Sequence, residues 1–302
     1  MTFKQRFDIA WRLLRPFTLT ASVVPVLVGS GIAFSQHHAQ WGLFIAFLVA
    51  SILIQAATNM FNEYFDYRRG LDHSGMVGIA GTIVRDGVQP ATVLATAWTF
   101  IGVSVLLGVY ICLWTTWWIA VVGTACLAVA YLYSGGPKPL AYTPFGELVA
   151  ALAMGPVIVL LAYYLQTGTI SGSALWVSVP IGLLIGAILL GNNFRDMDQD
   201  RLGGRRTVVI LLGRKRGRIL FGVVFTAAYL VIIGMVVSQI LTPWALLVLV
   251  TVPTAWYVSR LYFRYSEAKQ LHPAVKGTSG LLLRFGGLLF VAFLVSTWFP
   301  IH

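Results

Sequence analysis

Long apolar runs alternate with short polar connections along almost the whole chain. Nine windows of about twenty apolar residues occur, the length at which a helix spans the hydrocarbon core of a bilayer. A segment surrounded by hydrocarbon must satisfy its own backbone hydrogen bonds, so each window is predicted to be a helix. The predicted spans are 17–35, 41–65, 91–113, 116–133, 145–166, 173–194, 217–238, 242–262 and 279–299.

This pattern predicts an all-α fold, a polytopic membrane bundle of nine transmembrane helices. The composition agrees, because 58% of the 302 residues are hydrophobic and only 10% are charged, whereas soluble domains carry roughly 25% charged residues. The sequence contains no polar linker long enough to separate two folded units. Residues 1–302 are therefore expected to form a single transmembrane domain.

The polar connections fall into two classes when the spans are threaded alternately through a bilayer. Connections on one face, such as "SQHHAQ" and "QTGTISG", are short and carry no Lys, Arg, Asp or Glu. The charged residues lie on the opposite face or in the adjacent helix turns, which predicts that this face and the N-terminus are cytoplasmic in a multi-pass cell-membrane protein. The net charge of +11 is thus interpreted as a topology signal, with the lipid bilayer and no nucleic acid as the expected partner.

Acidic residues are not required by this topology, yet they concentrate at the ends of spans 2 and 6. In "NMFNEYFDYRRGLD", Asn62 and Asp66 are four residues apart and share a helix face, and Asp72 follows shortly after. In "GNNFRDMDQDRLGGRRT", the same spacing separates Asn192 from Asp196, and Asp200 comes four residues later. Two polar clusters are therefore expected to face each other on one side of the membrane.

Two facing carboxylate clusters suit a pair of Mg²⁺ ions around a diphosphate, because Mg²⁺ binds through one or two carboxylates together with phosphate oxygens. The candidate metal ligands are Asn62, Asp66, Asp72, Asp196 and Asp200, and the candidate catalytic residues among them are Asp66, Asp196 and Asp200. The candidate cations for the remaining phosphate charge are Arg69, Lys138 and Arg201. The alternative is a solvated charged surface, but matched ionisable groups at two helix ends in a membrane favour a functional site.

This motif pair resembles the UbiA superfamily of intramembrane prenyltransferases, whose members carry one Asp-rich motif after the second helix and another after the sixth. Five runs are similar in order to the branch that acts on 1,4-dihydroxy-2-naphthoate: "LRPFTLTASVVPVLVG" (14–29), "NEYFDYRRGLD" (62–72), "GIAGTIVRDG" (78–87), "YSGGPKPLAYTPFGEL" (133–148) and "NNFRDMDQDRLGGRRTVVILLGRK" (192–215). Three departures stand out. The first motif of the wider superfamily often has Asp four residues after the position of Asp66, where this chain has Gly70, and the next acid here is Asp72. Position 63 is Glu63 where the wider superfamily often has Asp, and Tyr133 to Lys138 is one residue longer than the family's Tyr-x-x-x-Lys.

The resemblance implies Mg²⁺-dependent transfer of a polyprenyl group from polyprenyl diphosphate to 1,4-dihydroxy-2-naphthoate, with decarboxylation, giving demethylmenaquinone. It implies a head group held at the acid clusters and a tail running between helices toward lipid. Arg15 is a candidate for the acceptor carboxylate, and Tyr133 for the face that receives the acceptor. Gly78, Gly81 and Gly87 mark a loop that is expected to lie over the site, where it either closes on substrate or, more simply, serves as a flexible connection.

Two alternatives remain at this point. In the first alternative, the chain is a prenyltransferase of the same superfamily whose acceptor is a hydroxybenzoate or a homogentisate. In a different class, an ion-coupled transporter would also keep acids in its helices, but it would place them near the bilayer midplane. The middles of all nine predicted spans carry no acid, which favours the enzyme.

Overall fold

The computed structural model describes residues 3–72 and 81–300, and every regular element in these residues is helical. The predicted all-α fold is therefore confirmed. Short 3₁₀ helices at Leu140–Tyr142 and Pro243–Thr251 and a π-helical turn at Ala153–Val157 join the α-helices. The α-helices are α1 Phe3–Leu14, α2 Pro16–Ser35, α3 Trp41–Arg68, α4 Thr82–Asp86, α5 Pro90–Trp114, α6 Trp118–Ser134, α7 Gly146–Leu152, α8 Ile158–Thr167, α9 Gly172–Leu202, α10 Val208–Val237, α11 Val252–Arg264 and α12 Ala268–Trp298.

All nine predicted spans coincide with helical segments of the described chain. Eight segments are long and apolar enough to cross a membrane, and α6 is a shorter apolar helix of 17 residues. The fifth span, Gly146–Thr167, includes α7, the π-helical turn and α8. Pro156 lies in that turn, where a widened helix tolerates a residue that has no backbone N–H to donate. The chain is thus a multi-pass membrane protein.

The helices extend beyond the predicted apolar windows on the charged face. Helix α9 continues to Leu202 and α12 begins at Ala268. The helical segment that begins at Val208 is kinked at Gly213, whose φ of 73° is not helical, before α10 continues into the span. Hydropathy detects only the part of a helix that suits hydrocarbon, whereas the backbone can remain helical where polar side chains meet water or one another. As a result, the acids of the second cluster lie on a helix.

Close helix packing positions the elements around the site. In α12, a Cβ at Gly286 would lie 2.1 Å from Val24 Cγ1 of α2. In the π-helical turn, a Cβ at Gly155 would lie 2.4 Å from the Cα of Gly182 in α9. Small residues at these crossings let the backbones approach, which is how membrane helices gain packing contacts without a hydrophobic driving force between them. Helix α12 is thereby packed against α2, and α9 against the π-helical turn.

Candidate functional site

Helix α3 ends in a glycine cap that fixes the first acid cluster. Gly70 adopts a left-handed conformation with φ of 70°. The backbone N–H of Leu71 donates to the Asp66 carbonyl at 3.0 Å, and that of Gly70 donates to the Tyr67 carbonyl at 3.0 Å. This pair of bonds is a Schellman motif, which ends a helix and reverses the chain. Asp66 therefore occupies the last turn of α3, and Asp72 follows just beyond the cap.

Helix α9 ends in the same motif. Gly204 has φ of 78°. The N–H of Arg205 donates to the Asp200 carbonyl at 2.9 Å, and the N–H of Gly204 donates to the Arg201 carbonyl at 3.2 Å. Asp200 is therefore the structural counterpart of Asp66, and Asp196 lies one helical turn earlier. Matching the two Asn-x-x-x-Asp pairs by sequence would align Asp66 with Asp196. The helix caps instead align Asp66 with Asp200, one helical turn later.

Arg205 joins the two ends. Its Nη2 donates to Asp66 Oδ1 at 2.7 Å and its Nη1 to Asp200 Oδ1 at 3.0 Å. The three side chains are only 12%, 12% and 9% exposed, so these charge-assisted bonds are weakly screened. Burial opposes the charged guanidinium, but the neighbouring charges of Asp66 and Asp200 outweigh it, and the pKa of Arg205 rises above its ordinary value.

The second cluster also contains an arginine that pairs within its own helix. Arg195 donates from Nε and Nη2 to the two carboxylate oxygens of Asp196, at 2.7 and 2.6 Å. This two-point pairing fixes the carboxylate plane and compensates its charge. The Asp66, Asp196 and Asp200 carboxylates therefore each meet a guanidinium in this structure.

These groups lie on a cavity of about 360 Å³ between the helices. Seven of the predicted site residues line it: Arg15, Asn62, Asp66, Asp72, Tyr133, Asp196 and Asp200. The rest of the lining is largely apolar and includes Phe47, Ile54, Val129, Met154, Leu161 and Ile188. The cavity thus combines a charged end with an apolar interior, which suits an amphipathic ligand.

The three cations predicted to neutralise phosphate do not line the cavity. Lys138 and Arg201 are exposed. Arg69 donates instead to the backbone carbonyls of Ser134 at 2.6 Å and Gly136 at 3.2 Å. It therefore braces the end of α3 against the chain that follows α6.

Asp198, between the two acids of the second cluster, lies on helix α9. Its side chain is 75% exposed and pairs with Arg214 at 2.8 Å. It does not line the cavity. The predicted loop glycine Gly78 lies outside the described residues.

Arg15 reaches the first cluster from the residue before α2, where it adopts a left-handed conformation with φ of 51°. Its Nη1 donates to Asn62 Oδ1 at 3.2 Å, and its Nη2 lies 3.7 Å from the fully buried Glu63 carboxylate. The other Glu63 oxygen accepts from the Thr82 hydroxyl and from the N–H of Ile83 at the start of α4. Glu63 thus connects three elements behind the cavity, although its chemistry was not anticipated from sequence.

Asp72 shows why this site suits a divalent cation. Its Oδ2 and that of Asp200 are buried without a hydrogen-bond partner among the described residues. Burial, followed by the charge of Asp66, raises the pKa of Asp72 to about 6. Unpaired carboxylate oxygens in a desolvated site favour a positive ligand. Within the described chain, however, no three acidic, histidine or cysteine side chains form a ready-made metal cage, so a cation would need further oxygens from a substrate.

Sequence reasoning selected Arg201 but missed Arg205. The signal was present, because two consecutive glycines after Asp200 predict a helix cap, and the residue after a cap turns back toward the last helical turn. Sequence reasoning also missed His272 and Lys276, which line the cavity from α12. Neither lies in a motif shared with the acid clusters, so only the packing of α12 reveals them.

Comparison with known proteins identifies the family of this chain. Residues 22–279 match the model of the UbiA prenyltransferase family. The chain is 43% identical over 289 residues to the 1,4-dihydroxy-2-naphthoate octaprenyltransferase of Bacillus subtilis (strain 168), covering 96% of this chain and 93% of that protein.

Solved structures share the fold at lower identity. A UbiA homologue from Aeropyrum pernix K1 superposes with a TM-score of 0.70 at 17% identity, covering 93% of this chain and 98% of that one. A UbiA homologue from Archaeoglobus fulgidus, solved with DMAPP and Mg²⁺, has a TM-score of 0.59 at 17% identity, covering 93% and 99%. The chain belongs to the UbiA prenyltransferase family.

Proposed function

We propose that this prenyltransferase moves a polyprenyl group from polyprenyl diphosphate to 1,4-dihydroxy-2-naphthoate, with loss of the acceptor carboxylate. The convergence of Asp66 and Asp200 on Arg205, at the charged end of a largely apolar cavity, carries this proposal. Such a cavity matches a substrate with a polyanionic head and a long apolar tail. The Bacillus subtilis relative named for this reaction supports the choice of acceptor.

The residues present fit Mg²⁺ bound together with substrate. Asp72 and Asp200 offer buried oxygens that lack partners among the described residues, and Mg²⁺ ordinarily completes its shell with phosphate oxygens and water. The residues that would hold the metal are Asn62, Asp66 and Asp72 on the α3 side and Asp196 and Asp200 on the α9 side. When bound, Mg²⁺ would supply positive charge to the departing diphosphate. The Archaeoglobus fulgidus homologue solved with DMAPP and Mg²⁺ supports this choice of metal.

The chain's own cations complete the head-group site. Arg205 and Arg195 lie on the cavity wall, where their planar guanidinium groups suit phosphate oxygens. They take the clamp role that sequence reasoning gave to Arg69, Lys138 and Arg201, none of which lines the cavity. The apolar interior excludes water from the carbocation that forms when the prenyl C–O bond breaks.

The reaction balances without an added oxidant or reductant. The C1 carbon of the prenyl group leaves the diphosphate and bonds to the ring carbon of the acceptor that bears the carboxylate. Loss of carbon dioxide returns the electron pair of the broken C–C bond to the ring. Pyrophosphate and carbon dioxide are released with the prenylated hydroquinone. The quinone forms only in a separate step, in which an external two-electron oxidant such as dioxygen removes two electrons and two protons.

The function is tested by incubating the purified chain with Mg²⁺, a polyprenyl diphosphate and separate aromatic acceptors, followed by mass spectrometry. We expect a prenylated product from 1,4-dihydroxy-2-naphthoate that lacks the carboxylate, and no product in excess chelator. Product only from hydroxybenzoate or homogentisate would contradict the acceptor but keep the reaction. Ion-dependent solute uptake into proteoliposomes, without any prenylated product, would contradict the reaction itself.

We also propose that the site faces the cytoplasm and that residues 1–302 act as one domain. The segregation of Lys and Arg to the site's face of the membrane supports this orientation. Single cysteines at Gln40 and Ser171, introduced after replacing Cys112 and Cys126 with serine, are expected to react with an impermeant thiol reagent from outside intact cells. A cysteine at Gly203 is expected to react only after the membrane is opened, and its labelling from outside would reverse the orientation.

A further inference from the structure

One face of α12 contributes a second polar surface to the cavity. His272, Lys276 and Ser279 all line it, and their spacing of four and three residues places them on the same side of the helix. Lys276 Nζ lies 4.8 Å from the ring centroid of Phe17, at the start of α2. Phe17 lines the same cavity and is 39% exposed. A cation and an open aromatic ring therefore meet at the cavity wall.

Lys276 differs from the arginines of the cavity in its partners. Arg195 pairs with Asp196, and Arg205 with Asp66 and Asp200. Arg15 pairs with Glu63 at 3.7 Å. For Lys276, in contrast, no carboxylate in residues 3–72 or 81–300 lies within salt-bridge distance, and its aromatic contact leaves the ammonium donors available to an anion.

His272 adds a hydrogen-bonding group one turn from Lys276. Its Nδ1 is buried and has no partner within the described part of the chain, and the side chain lines the cavity together with Lys276, Arg195 and Asp196. A buried ring nitrogen without a partner is costly unless a ligand satisfies it. It is therefore placed to receive or donate a hydrogen bond to a polar ligand beside Lys276.

We propose that Lys276, Phe17 and His272 form the binding site for the acceptor's carboxylate-bearing aromatic ring. This inference rests on the function proposed above and assigns the acceptor end of the same cavity. Lys276 pairs with the carboxylate, Phe17 provides a surface for the ring, and His272 hydrogen-bonds to a ring substituent. An aryl carboxylate needs one cation beside an aromatic surface, and Lys276 above Phe17 offers that combination.

The same contacts distinguish this site chemically from the diphosphate site in the same cavity. A diphosphate carries several charges and suits metal ions together with bidentate arginine donors. Asp66 and Asp200 would hold the metal, and Arg205 supplies the guanidinium. A lysine is a point charge on a flexible stem and fits a monoanion beside an apolar ring. Arg15, the sequence candidate for the carboxylate, already contacts Glu63 and Asn62, so it becomes a positioning residue for the first acid cluster.

The test compares binding of two probes to the full-length chain in detergent. 1-Hydroxy-2-naphthoate carries the carboxylate, whereas 1-naphthol lacks it, and both are titrated by their intrinsic fluorescence. The unaltered protein is expected to prefer the carboxylate probe by about tenfold or more, the range of one charge-assisted hydrogen bond. Lys276→Met should remove this preference without weakening 1-naphthol, and Lys276→Arg should retain part of it. Lys269→Met is the matched control, because it removes the same charge from α12 outside the cavity lining.

Turnover then distinguishes the possible roles of Lys276. Lys276→Met should raise the KM for 1,4-dihydroxy-2-naphthoate about tenfold or more and leave the KM for polyprenyl diphosphate unchanged. A raised KM for the diphosphate alone, or an unaltered probe preference in Lys276→Met, would overturn the assignment. Equal binding of both probes by the unaltered protein would also overturn it. In a further outcome, the protein discriminates between the probes through Lys276 and yet makes no prenylated product. That result would support the carboxylate site and contradict the proposed function.

Discussion

The ends of α3 and α9 share one backbone motif but carry different side chains after the glycine. In both caps an aspartate occupies the same position in the last turn, Asp66 in α3 and Asp200 in α9. The residue after the left-handed glycine is Leu71 in the first cap and Arg205 in the second. Arg205 returns across the cavity to Asp66, whereas Leu71 packs so closely on the second cap that a Cβ at Gly203 would lie 2.6 Å from its Cδ2.

This comparison shows that the caps position the acids and that the residues after the caps couple the two ends. The two helix ends contact each other through different groups. The end of α3 provides Asp66 as the second carboxylate that pairs with Arg205, and the end of α9 provides Gly203, on which Leu71 packs. The charged site is therefore a property of the pair, and its parts can be separated by substitutions at equivalent positions.

The largest expected effect comes from removing the equivalent acids. Asp66→Ala and Asp200→Ala should each reduce turnover by at least about 10³-fold, the scale for losing one preorganised charge-stabilising group. The measurement is product formation at saturating Mg²⁺ and polyprenyl diphosphate. If the two ends contribute equally, the two losses should agree within about tenfold.

Asp198→Ala is the control for this prediction. It removes an acid from the same helix, but one that is 75% exposed and pairs with Arg214 away from the cavity lining. Its turnover should stay within a few-fold of the unaltered protein. Full activity in Asp66→Ala with a large loss in Asp198→Ala would show that the two caps do not define the reacting site.

The coupling residue should affect stability more than any other cavity cation. Arg205→Met leaves Asp66 and Asp200 close together without their shared guanidinium, and breaking one partner of a buried ion pair costs about 3 kcal/mol or more. Thermal unfolding in detergent with chelator should show a clear decrease in Tm. Arg201→Met, which removes an exposed arginine from the same segment, should shift Tm little.

Mg²⁺ without a diphosphate sharpens this prediction. A bound cation would compensate Asp66 and Asp200 in place of Arg205, so adding Mg²⁺ alone should raise Tm more in Arg205→Met than in the unaltered protein. A decrease in Tm that is the same with and without Mg²⁺ would mean that a cation cannot replace Arg205 between the two acids.

The shared features of the two ends were accessible from sequence. Hydropathy placed both helices, and the segregation of charge placed both acid clusters on one face, because crossing a bilayer strongly constrains which residues a span can contain. Helical spacing then put Asn62 beside Asp66 and Asp196 beside Asp200. The membrane thus makes the fold and the location of this site predictable from composition along the chain.

The features that distinguish the two ends were not accessible in the same way. The sequence aligns Asp66 with Asp196, whereas the structure aligns Asp66 with Asp200, one turn later. This correspondence depends on the residue at which each helix ends, which the spacing of the motifs does not specify. Arg205 becomes a cavity residue only because Gly204 reverses the chain, while Arg201 on the preceding helical turn points elsewhere. Lys276 and His272 reach the cavity only because of how α12 packs against its neighbours. Their local sequence does not distinguish them from ordinary polar residues at the membrane–water interface.

The two cap glycines test whether the backbone motifs are equivalent. Gly70→Ala and Gly204→Ala should each destabilise the protein by about 1 kcal/mol, because each glycine has a positive φ that an L-residue adopts with strain. In both cases a Cβ would meet no atom within 4 Å, so the cost comes from the backbone alone. Tm in detergent is the measurement.

Gly222→Ala in α10 provides the matched control, since a Cβ there also meets nothing within 4 Å and the residue lies in a helix interior. Alanine is the better helix former, so this variant should be neutral or slightly more stable. Destabilisation by Gly222→Ala equal to that of the cap variants would remove the argument from left-handed geometry.

The smallest effect concerns Asp72, an acid beyond the first cap whose counterpart after the second cap is Arg206. Burial and the charge of Asp66 raise the pKa of Asp72 to about 6, from an ordinary value of 3.8. Below pH 3.8 the carboxyl is protonated in both the folded and the unfolded chain. Between pH 3.8 and about 6 the folded chain holds the proton more tightly, so stability falls as pH rises. Above about pH 6 the loss is complete.

Asp72→Asn should therefore raise the Tm of the metal-free protein at pH 7.5 and change it little near pH 4. The increase should be a few degrees at most, because the chain is large and Asp72 is only partly buried. Excess Mg²⁺ with a diphosphate analogue should reverse the order at pH 7.5, since the ionised carboxylate then has a positive partner that asparagine pairs with less strongly. Tm values for Asp72→Asn that match those of the unaltered protein at both pH values would contradict this prediction, because they would show that water solvates the Asp72 carboxylate. The desolvated acids at the end of α3 would then lie on the helix, as they do at the end of α9.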